Sequence, residues 1–187
     1  MEALDALLTR VSSPRLTEPA PTAEQRERLF QAALRAPDHG QLRPWRFLTV
    51  EGAARNALGQ LYADALLVRD AGASEEALNK ARAMPLRAPL LVVVIARVQV
   101  HPKVPEVEQL MAAACAAHGM ILAAYAQDIG AVWRTGEMAY DPTVEQGLGL
   151  QAGEKIVGYL YLGTPERAPR TAPLQNSADF VSSWSGR

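Results

Sequence analysis

Residue types that often reveal a function are scarce in this chain of 187 residues. Cysteine occurs once, at Cys115, so an intrachain disulfide framework is excluded and a reducing compartment fits. His118 follows Cys115 by three positions on a predicted helix, a spacing that two metal ligands can use. No further histidine and no acidic cluster completes such a set. We therefore interpret Cys115 and His118 as buried core residues and expect no metal site.

An excess of charge and a long apolar run are also missing. The 19 basic and 20 acidic residues leave a net charge of −1, whereas nucleic-acid-binding domains carry a clear basic excess. The most apolar segment, residues 110–126, is mostly alanine and contains His118, which predicts a buried core helix rather than a membrane span. Residues 1–5 are acidic where a signal peptide needs cations. We expect a cytoplasmic protein without a nucleic-acid or membrane partner.

Motifs for catalysis by side chains alone are absent too. The chain has no nucleophile elbow, no phosphate loop and no pairing of histidine with aspartate that suggests acyl transfer. Gly147, Gly149 and Gly153 imitate part of a dinucleotide-binding loop, but they follow a predicted helix and not a strand. A chain with so few candidate acids and bases usually borrows its chemistry from a cofactor. We therefore name no catalytic side chain.

Hydrophobic residues make up 49% of the chain, enough for the core of one domain. Periodicity and capping residues predict helices at 2–10, from Thr22 to a stop at Pro37, at 53–69, 74–84 and 105–127, and from Asp141. Strands are predicted at 45–50, 90–98, 131–134 and 156–162, and Gly130 is placed in the cap that ends the long helix. Residues 12–21 read as an ordered loop or linker. The fold class is α+β: one domain over 1–165 with a small sheet wrapped by helices, then an extended tail over 166–187.

Two polar segments are candidates for cofactor binding. Residues 10–15 (Arg-Val-Ser-Ser-Pro-Arg) place two cations and two hydroxyls at a helix end and the loop after it. Such a cluster either binds a phosphate or is a solvated loop with a capping serine. Residues 35–45 gather polar groups in a turn before an apolar strand, where binding residues concentrate. The alternative is an ordinary connection between helix and strand.

Four motifs, in this order, resemble the nitroreductase family and, within it, the short NAD(P)H nitroreductases. They are the arginine-containing loop at 10–15, Arg-Ala-Pro-Asp-His…Pro-Trp-Arg-Phe at 35–47, Val-Trp-Arg-Thr at 132–135, and Gly-Tyr-Leu-Tyr-Leu-Gly-Thr-Pro at 158–165. Each motif is weak alone, whereas the ordered set is specific. The resemblance implies a nitroreductase-like fold with a mostly antiparallel sheet. It also implies FMN bound without a covalent bond at the interface of a homodimer.

The resemblance carries site residues over by position. The implied FMN contacts are Arg10, Val11, Ser12, Arg35, His39, Trp133, Arg134 and Thr135. The implied NAD(P)H contacts are Ala123, Ala124, Tyr125, Ala126, Gln127 and Asp128. Residues 10–12 and 133–135 are implied to act from one subunit, and Arg35 and His39 from the other. Arg10 and Arg134 would then supply the charge-assisted donors that a partly buried phosphate requires. Arg35 or His39 would place a positive group near the pyrimidine edge of the ring.

This chain departs from the family pattern at two places. Val11 stands where the family usually has a second arginine, which removes one cation from the site if that contact is made by the side chain. Residues 41–43 are Gln-Leu-Arg where many members have Asn-x-Gln. We expect this second change to alter hydrogen bonds at the ring edge, and so the redox potential, without removing the cofactor.

The resemblance implies an FMN-dependent oxidoreductase that passes electrons from NAD(P)H to a nitroaromatic, quinone or similar acceptor by a ping-pong mechanism. One alternative is a non-catalytic flavin-binding protein, a redox sensor or store on the same fold. Another is a flavin-free interaction module whose arginine loops are only solvated surface. The apolar helix at 110–126 fits the middle of a two-fold dimer. Phe180, Val181 and Trp184 predict that the tail lies across the partner subunit.

Overall fold

The computed structural model of the chain describes residues 1–168 and 170–186. Its α-helices are α1 (Ala3–Thr9), α2 (Ala23–Ala33), α3 (Ala54–Arg69), α4 (Glu75–Ala83), α5 (Glu106–Tyr125) and α6 (Pro142–Gly147). Its strands are β1 (Leu16–Thr17), β2 (Trp45–Glu51), β3 (Leu90–Arg97), β4 (Gly130–Arg134) and β5 (Glu154–Pro165). Short 3-10 turns cover His39–Gln41, Met84–Arg87, Glu137–Ala139 and Ser177–Asp179. This arrangement confirms the predicted α+β class.

All strand pairs in the sheet are antiparallel. β3 lies between β2 and β5, and β5 pairs on its other edge with β4 and then with β1. β1 falls inside the predicted loop at 12–21, where Leu16 pairs with Pro165 and Thr17 with Thr164. Two residues of pairing leave no apolar alternation to detect, so the sequence pattern does not reveal this strand. The same pairing explains why β5 runs past the predicted end at 162.

A layer of helices covers each face of the sheet. α3, α4 and α6 pack on one face, and α2 and α5 pack on the other. β3 contributes to both cores, with Leu91 and Val93 in the first and Val92 and Val94 in the second. The prediction that the run at 90–98 is buried on both faces is therefore confirmed for residues 90–96, whereas Arg97 is exposed and Val98 lies beyond the strand. That pattern is commonest in parallel sheets, and it occurs here because helices leave the central antiparallel strand no polar side.

Three helices begin where their capping residues predict. Thr22 and Gln25 form a reciprocal capping box at the start of α2, in which each side chain accepts the backbone N–H of the other. Ser74 accepts from the first turn of α4, and Asp141 from the first turn of α6. Each cap satisfies backbone donors that the helix itself leaves unpaired.

Two helix ends differ from prediction. α2 ends at Ala33, before Pro37 is reached. The residue after α5 that adopts the left-handed conformation is Asp128, with a φ of 58°, whereas Gly130, predicted for that cap, begins β4. Gly130 is instead required by crowding, because a Cβ there would lie 2.5 Å from the side chain of Leu16.

α5 has an inner and an outer face of different character. Alanines on its inner face are fully buried in the second core, as expected of a core helix. Its outer face exposes Val107, Met111, Cys115 and His118, which follow one another at helical spacing. The prediction that Cys115 and His118 are buried is therefore wrong, because a helix that is apolar all round does not show which side meets the core. By length and composition alone α5 could cross a membrane.

Beyond Pro165 the chain runs along the outside of the domain. A 3-10 turn at Ser177–Asp179 is the one regular element in the described part of this segment. Phe180, Val181 and Trp184 are 76%, 72% and 89% exposed. Pro169 and Arg187, which belong to the predicted tail, lie outside the described residues.

Candidate functional site

The N-terminal loop lies against the outer edge of β4. The backbone N–H of Ser13 donates to the carbonyl of Ala131 at 2.9 Å, and this bond holds the loop of Arg10, Val11 and Ser12 beside the strand. Arg10 and Val11 are partly buried, and Ser12 is exposed. Two of the sequence-predicted segments, 10–12 and 133–135, are thereby brought to the same edge of the sheet.

β4 sends its side chains alternately to the two faces of the sheet, as a strand must. Trp133 joins the core under α5, and Val132 joins the opposite core. Arg134 follows Val132, and its guanidinium lies 5.9 Å from the centre of the Tyr161 ring. Thr135 is exposed. The predicted trio at 133–135 therefore serves both faces, with Trp133 on the α5 side and Arg134 on the other.

Arg134 lies in a basic depression of about 570 Å³. Its other lining residues are Pro14, Arg15, Leu16, Thr17, Arg87 and Glu166. Arg15 faces Glu166 at 3.7 Å. The Nε atom of Arg134 is buried and has no hydrogen-bond partner among the described residues. A buried donor without an acceptor is costly, so this atom marks a place where an oxygen of a bound group would be stabilising.

An aromatic depression of about 490 Å³ adjoins the basic one and shares Arg87 and Arg134 with it. Tyr62, Tyr159 and Tyr161 are among its lining residues, although each is buried in the domain. The remaining lining residues are Met84, Trp133, Thr135, Gly136, Glu137 and Met138. Aromatic lining residues with a few polar groups are typical of pockets for ring-shaped ligands.

Burial determines the protonation state of the tyrosine hydroxyls in this depression. It raises the pKa of the Tyr62 and Tyr159 hydroxyls well above the ordinary value, so both stay protonated. Tyr159 donates to the carbonyl of Met138 at 2.9 Å, whereas the Tyr62 hydroxyl has no hydrogen-bond partner among the described residues. Burial also raises the pKa of Tyr161, and the charges of Arg87 and Arg134 offset part of that rise.

A β-bulge in β5 positions Trp133. Val94 pairs with Gly158 and Ile95 with Ile156, so Val157 is the extra residue. The carbonyl of Val157 accepts the indole N–H of Trp133 at 3.3 Å. Gly158 leaves the space that the ring fills, because a Cβ there would lie 2.1 Å from the indole nitrogen. Trp133 also lines an apolar groove of about 720 Å³ beside α5, together with Val107, Leu110, Met111 and Ala114.

Arg35 and His39 lie on the side of the domain where α2 meets α5. Both are exposed. His39 contacts Glu108, in the first turn of α5, at 2.6 Å. The turn after it is held in the left-handed conformation at Gly40, Gln41 and Arg43, and two of these are residues that rarely adopt it. Such backbone strain clusters at binding sites.

The two predicted halves of the FMN site lie toward opposite ends of α5. His39 meets Glu108 near the start of the helix, whereas Thr9, next to Arg10, contacts the hydroxyl of Tyr125 at 3.1 Å near its end. At 1.5 Å per residue, Glu108 and Tyr125 are about 25 Å apart along the helix axis. Within one chain the structure therefore does not bring His39 to Arg10.

The predicted NAD(P)H segment, residues 123–128, forms the end of α5 and the turn after it. None of the three depressions above is lined by it. The side-chain amide of Gln127 donates to the carbonyl of Ala123 at 3.0 Å. Its Oε1 atom is buried with no hydrogen-bond partner among the described residues.

Of the lining residues outside the predicted set, Arg15, Tyr161 and Arg87 bear most directly on Arg134. Arg15 is the last residue of the arginine-containing loop, of which only residues 10–12 are implied as contacts. Tyr161 reads as an ordinary core position of a strand. Arg87 closes a short turn far along the chain from both arginine motifs, and it carries no local signal. Only the tertiary fold brings these residues to Arg134.

A family model and a curated relative both match most of the chain. The model of the family described as "Nitroreductase family" matches residues 8–164. The protein named "Putative NAD(P)H nitroreductase YdjA" from Escherichia coli (strain K12) is 42% identical over 183 residues, covering 97% of this chain and 99% of the relative.

Solved structures share the fold at lower identity. A nitroreductase-like family protein from Bacillus cereus superposes with a TM-score of 0.84 at 23% identity, covering 100% of this chain and 97% of the other. A crystal structure described as "a putative nitroreductase in complex with fmn", from Desulfovibrio desulfuricans, gives a TM-score of 0.73 at 22% identity, with 98% of each chain covered.

Proposed function

Because this chain belongs to the nitroreductase family, we propose that it is an FMN-dependent oxidoreductase. It takes electrons from NAD(P)H and passes them to a nitroaromatic, quinone or similar small acceptor. The observation that carries the proposal is the junction of an aromatic and a basic depression at Arg134. The FMN complex of a protein with the same fold supports the choice of flavin.

The residues present fit FMN. The aromatic and apolar lining of one depression suits the flat ring, and the arginines of the basic depression suit the phosphate. The buried Nε atom of Arg134 lacks an acceptor that a phosphate oxygen would supply. Arg10 and Ser12, on the loop fixed by Ser13, add a cation and a hydroxyl beside β4. Bound there, FMN would accept a hydride from NAD(P)H and, once the first product has left, reduce the acceptor.

We propose that each site is shared between two subunits. A ligand held by Arg10 and His39 of the same chain would have to bridge most of the length of α5, which exceeds the length of FMN. A second copy that packs antiparallel along α5 places the His39 end of one subunit beside the Arg10 end of the other. The contacts of Thr9 and His39 at the two ends of the helix support this arrangement.

The outer face of α5 supports a dimer. Val107, Met111, Cys115 and His118 form an exposed, largely apolar stripe, of the kind that marks an interaction surface. In the dimer we propose, the tail lies across the partner, where Phe180 and Trp184 find the burial that one subunit does not offer them. We also propose that residues 123–128 contact NAD(P)H. The single cysteine of the chain fits a reducing compartment, so we propose a cytoplasmic location.

An absorption spectrum is the first test. Purified protein is expected to show the bands of oxidised flavin, which bleach on anaerobic mixing with NADH or NADPH and return when a quinone or nitroaromatic is added. A colourless protein that takes up no FMN would contradict the proposal. A flavoprotein that neither nucleotide reduces would favour a sensor or store on the same fold.

Mixed dimers test the shared site. Arg10→Ala and His39→Ala are each expected to lower FMN binding in their homodimers. In a heterodimer of the two variants, one site collects both lesions and the other collects neither, so one FMN per dimer and about half the activity should return. If each site belonged to one chain, both sites would stay damaged. Isolated heterodimers without recovered flavin would contradict the shared site while leaving the proposed reaction intact.

A further inference from the structure

Arg87 occupies a special place between the two depressions. It is the last residue of the 3-10 turn Met84–Arg87, from which the chain enters β3. Its side chain lines both the basic and the aromatic depression, and of the described residues only Arg134 does the same. Burial raises the pKa of the Tyr161 hydroxyl, and the charges of Arg87 and Arg134 both oppose that rise, because both guanidinium groups lie near this ring.

The turn that carries Arg87 is firmly held. Pro85, within it, is buried. The guanidinium of Arg55 donates to the carbonyl of Ala88, the next residue, at 2.8 Å. The fixed turn sets the position of the Arg87 backbone beside the depression, so that only the side chain loses freedom when it binds an anion.

The arginines of the basic depression differ in whether their side chains have a partner. Arg15 is paired with Glu166. The Arg87 side chain is exposed and makes no ion pair or hydrogen bond with another residue of the described part of the chain. Arg134 has a buried Nε atom without an acceptor. Two guanidinium groups are therefore free to act together on one ligand.

We propose that Arg87 and Arg134 form a two-arginine clamp for a phosphate monoester. The inference rests on the proposed function, under which the ligand is the phosphate of FMN. A phosphate monoester carries roughly two negative charges at neutral pH, which two unpaired guanidinium groups match. Arginine also contacts phosphate at two points at once. The aromatic depression next to the clamp takes the ring of the same molecule.

Binding of FMN and of riboflavin to the flavin-free protein tests the clamp, because only FMN carries the phosphate. Arg87→Ala is expected to weaken FMN about tenfold and to change riboflavin affinity little. This is the low end for a charge-assisted contact because Arg87 is exposed. Arg87→Lys keeps a point charge and should fall between wild type and Arg87→Ala. Arg28→Ala, which removes an exposed arginine paired only with Glu24 on α2, is the matched control and should change neither affinity.

Three results would overturn the clamp. Equal weakening of FMN and riboflavin would place Arg87 against the ring. Unchanged FMN affinity in both Arg87 variants would remove it from the site. Weaker binding of NADPH but not of NADH, with FMN unaffected, would assign the cation to the 2′-phosphate of the nucleotide.

A second probe separates this inference from the proposed function. If the wild-type chain bound no FMN, the proposed function would fail, but the clamp could still be judged with inorganic phosphate. In that case phosphate should raise the melting temperature of the wild type and of Arg28→Ala more than that of Arg87→Ala or Arg134→Ala. An equal rise in all four proteins would contradict the clamp.

Discussion

Replacing Gly158 by alanine should displace Trp133. The new Cβ would lie 2.1 Å from the indole nitrogen, 2.7 Å from Cδ1 and 3.0 Å from the backbone oxygen of Arg134. Ordinary contact begins near 3.4 Å, so the ring must move by about 1 Å or leave its place. The movement breaks the bond to the carbonyl of Val157 and changes the shape of the groove beside α5, which Trp133 lines.

The expected loss of stability can be stated. Inserting a methyl group into a packed site costs about 1–3 kcal/mol. The intrinsic gain from removing a strand glycine, about 0.5–1 kcal/mol, offsets only part of this. The net loss is therefore up to about 2.5 kcal/mol, which for a domain of this size lowers the melting temperature by up to roughly 10 °C, measured at fixed protein concentration because association would change it. Gly72→Ala is the matched control, since its Cβ would meet only Asp70 Oδ1 at 3.4 Å.

A double-mutant cycle tests the cause. A Trp133→Ala background removes the two closest contacts of the new methyl group, so Gly158→Ala should cost at least about 1 kcal/mol less there than in the wild type. Denaturant unfolding of the four proteins gives the coupling. Costs that simply add, within about 0.5 kcal/mol, would refute the argument that Gly158 exists to accommodate the indole.

Three further changes have expected outcomes. Arg10→Ala and Arg134→Ala should each weaken FMN by about 1.5–3 kcal/mol and riboflavin far less, as measured by flavin titration; equal effects would show that the arginine acts on the ring or on folding. Glu154→Gln should destabilise the fold by about 2 kcal/mol, because the carboxylate of Glu154, 7% exposed, accepts two bonds from Arg46. That pairing lowers the pKa of the Glu154 carboxyl below 4.5. The stabilisation of the folded state by this pair is therefore complete above pH 4.5 and is lost as the pH falls through the lowered pKa. Urea midpoints of wild type and variant that do not converge at acidic pH would contradict this. Truncation after Pro165 should lower the melting temperature of the dimer, and an unchanged value would indicate a loose tail.

Local chemistry made parts of this fold predictable. The capping box of Thr22 and Gln25 and the caps Ser74 and Asp141 act within one helical turn, so the sequence shows them directly. The buried run of β3 is visible because nothing polar interrupts it. β1 was not predictable, because its two residues become a strand only through pairing with the end of β5.

The residues of the candidate site also differ in whether the local sequence reveals them. The loop at 10–15 and the strand at 132–135 could be selected from their residues and their resemblance, since each has charge and hydroxyl or aromatic groups close together in sequence. Arg87 could not, because its neighbours Leu86 and Ala88 say nothing about a ligand and its partner Arg134 is far along the chain. Convergence on one point is a property of the tertiary fold.

The exposure of Cys115 and His118 also has a physical explanation that bears on function. An amphipathic helix shows its buried side by contrast with a polar one, and α5 lacks that contrast because its outer face is apolar as well. A single subunit gains nothing from apolar groups on that face, whereas a second copy would bury them. The same pairing would bring the two ends of α5, where His39 and Arg10 lie, next to each other. The dimer that we propose would thus explain both the exposure of Cys115 and His118 and the separation of the two halves of the site.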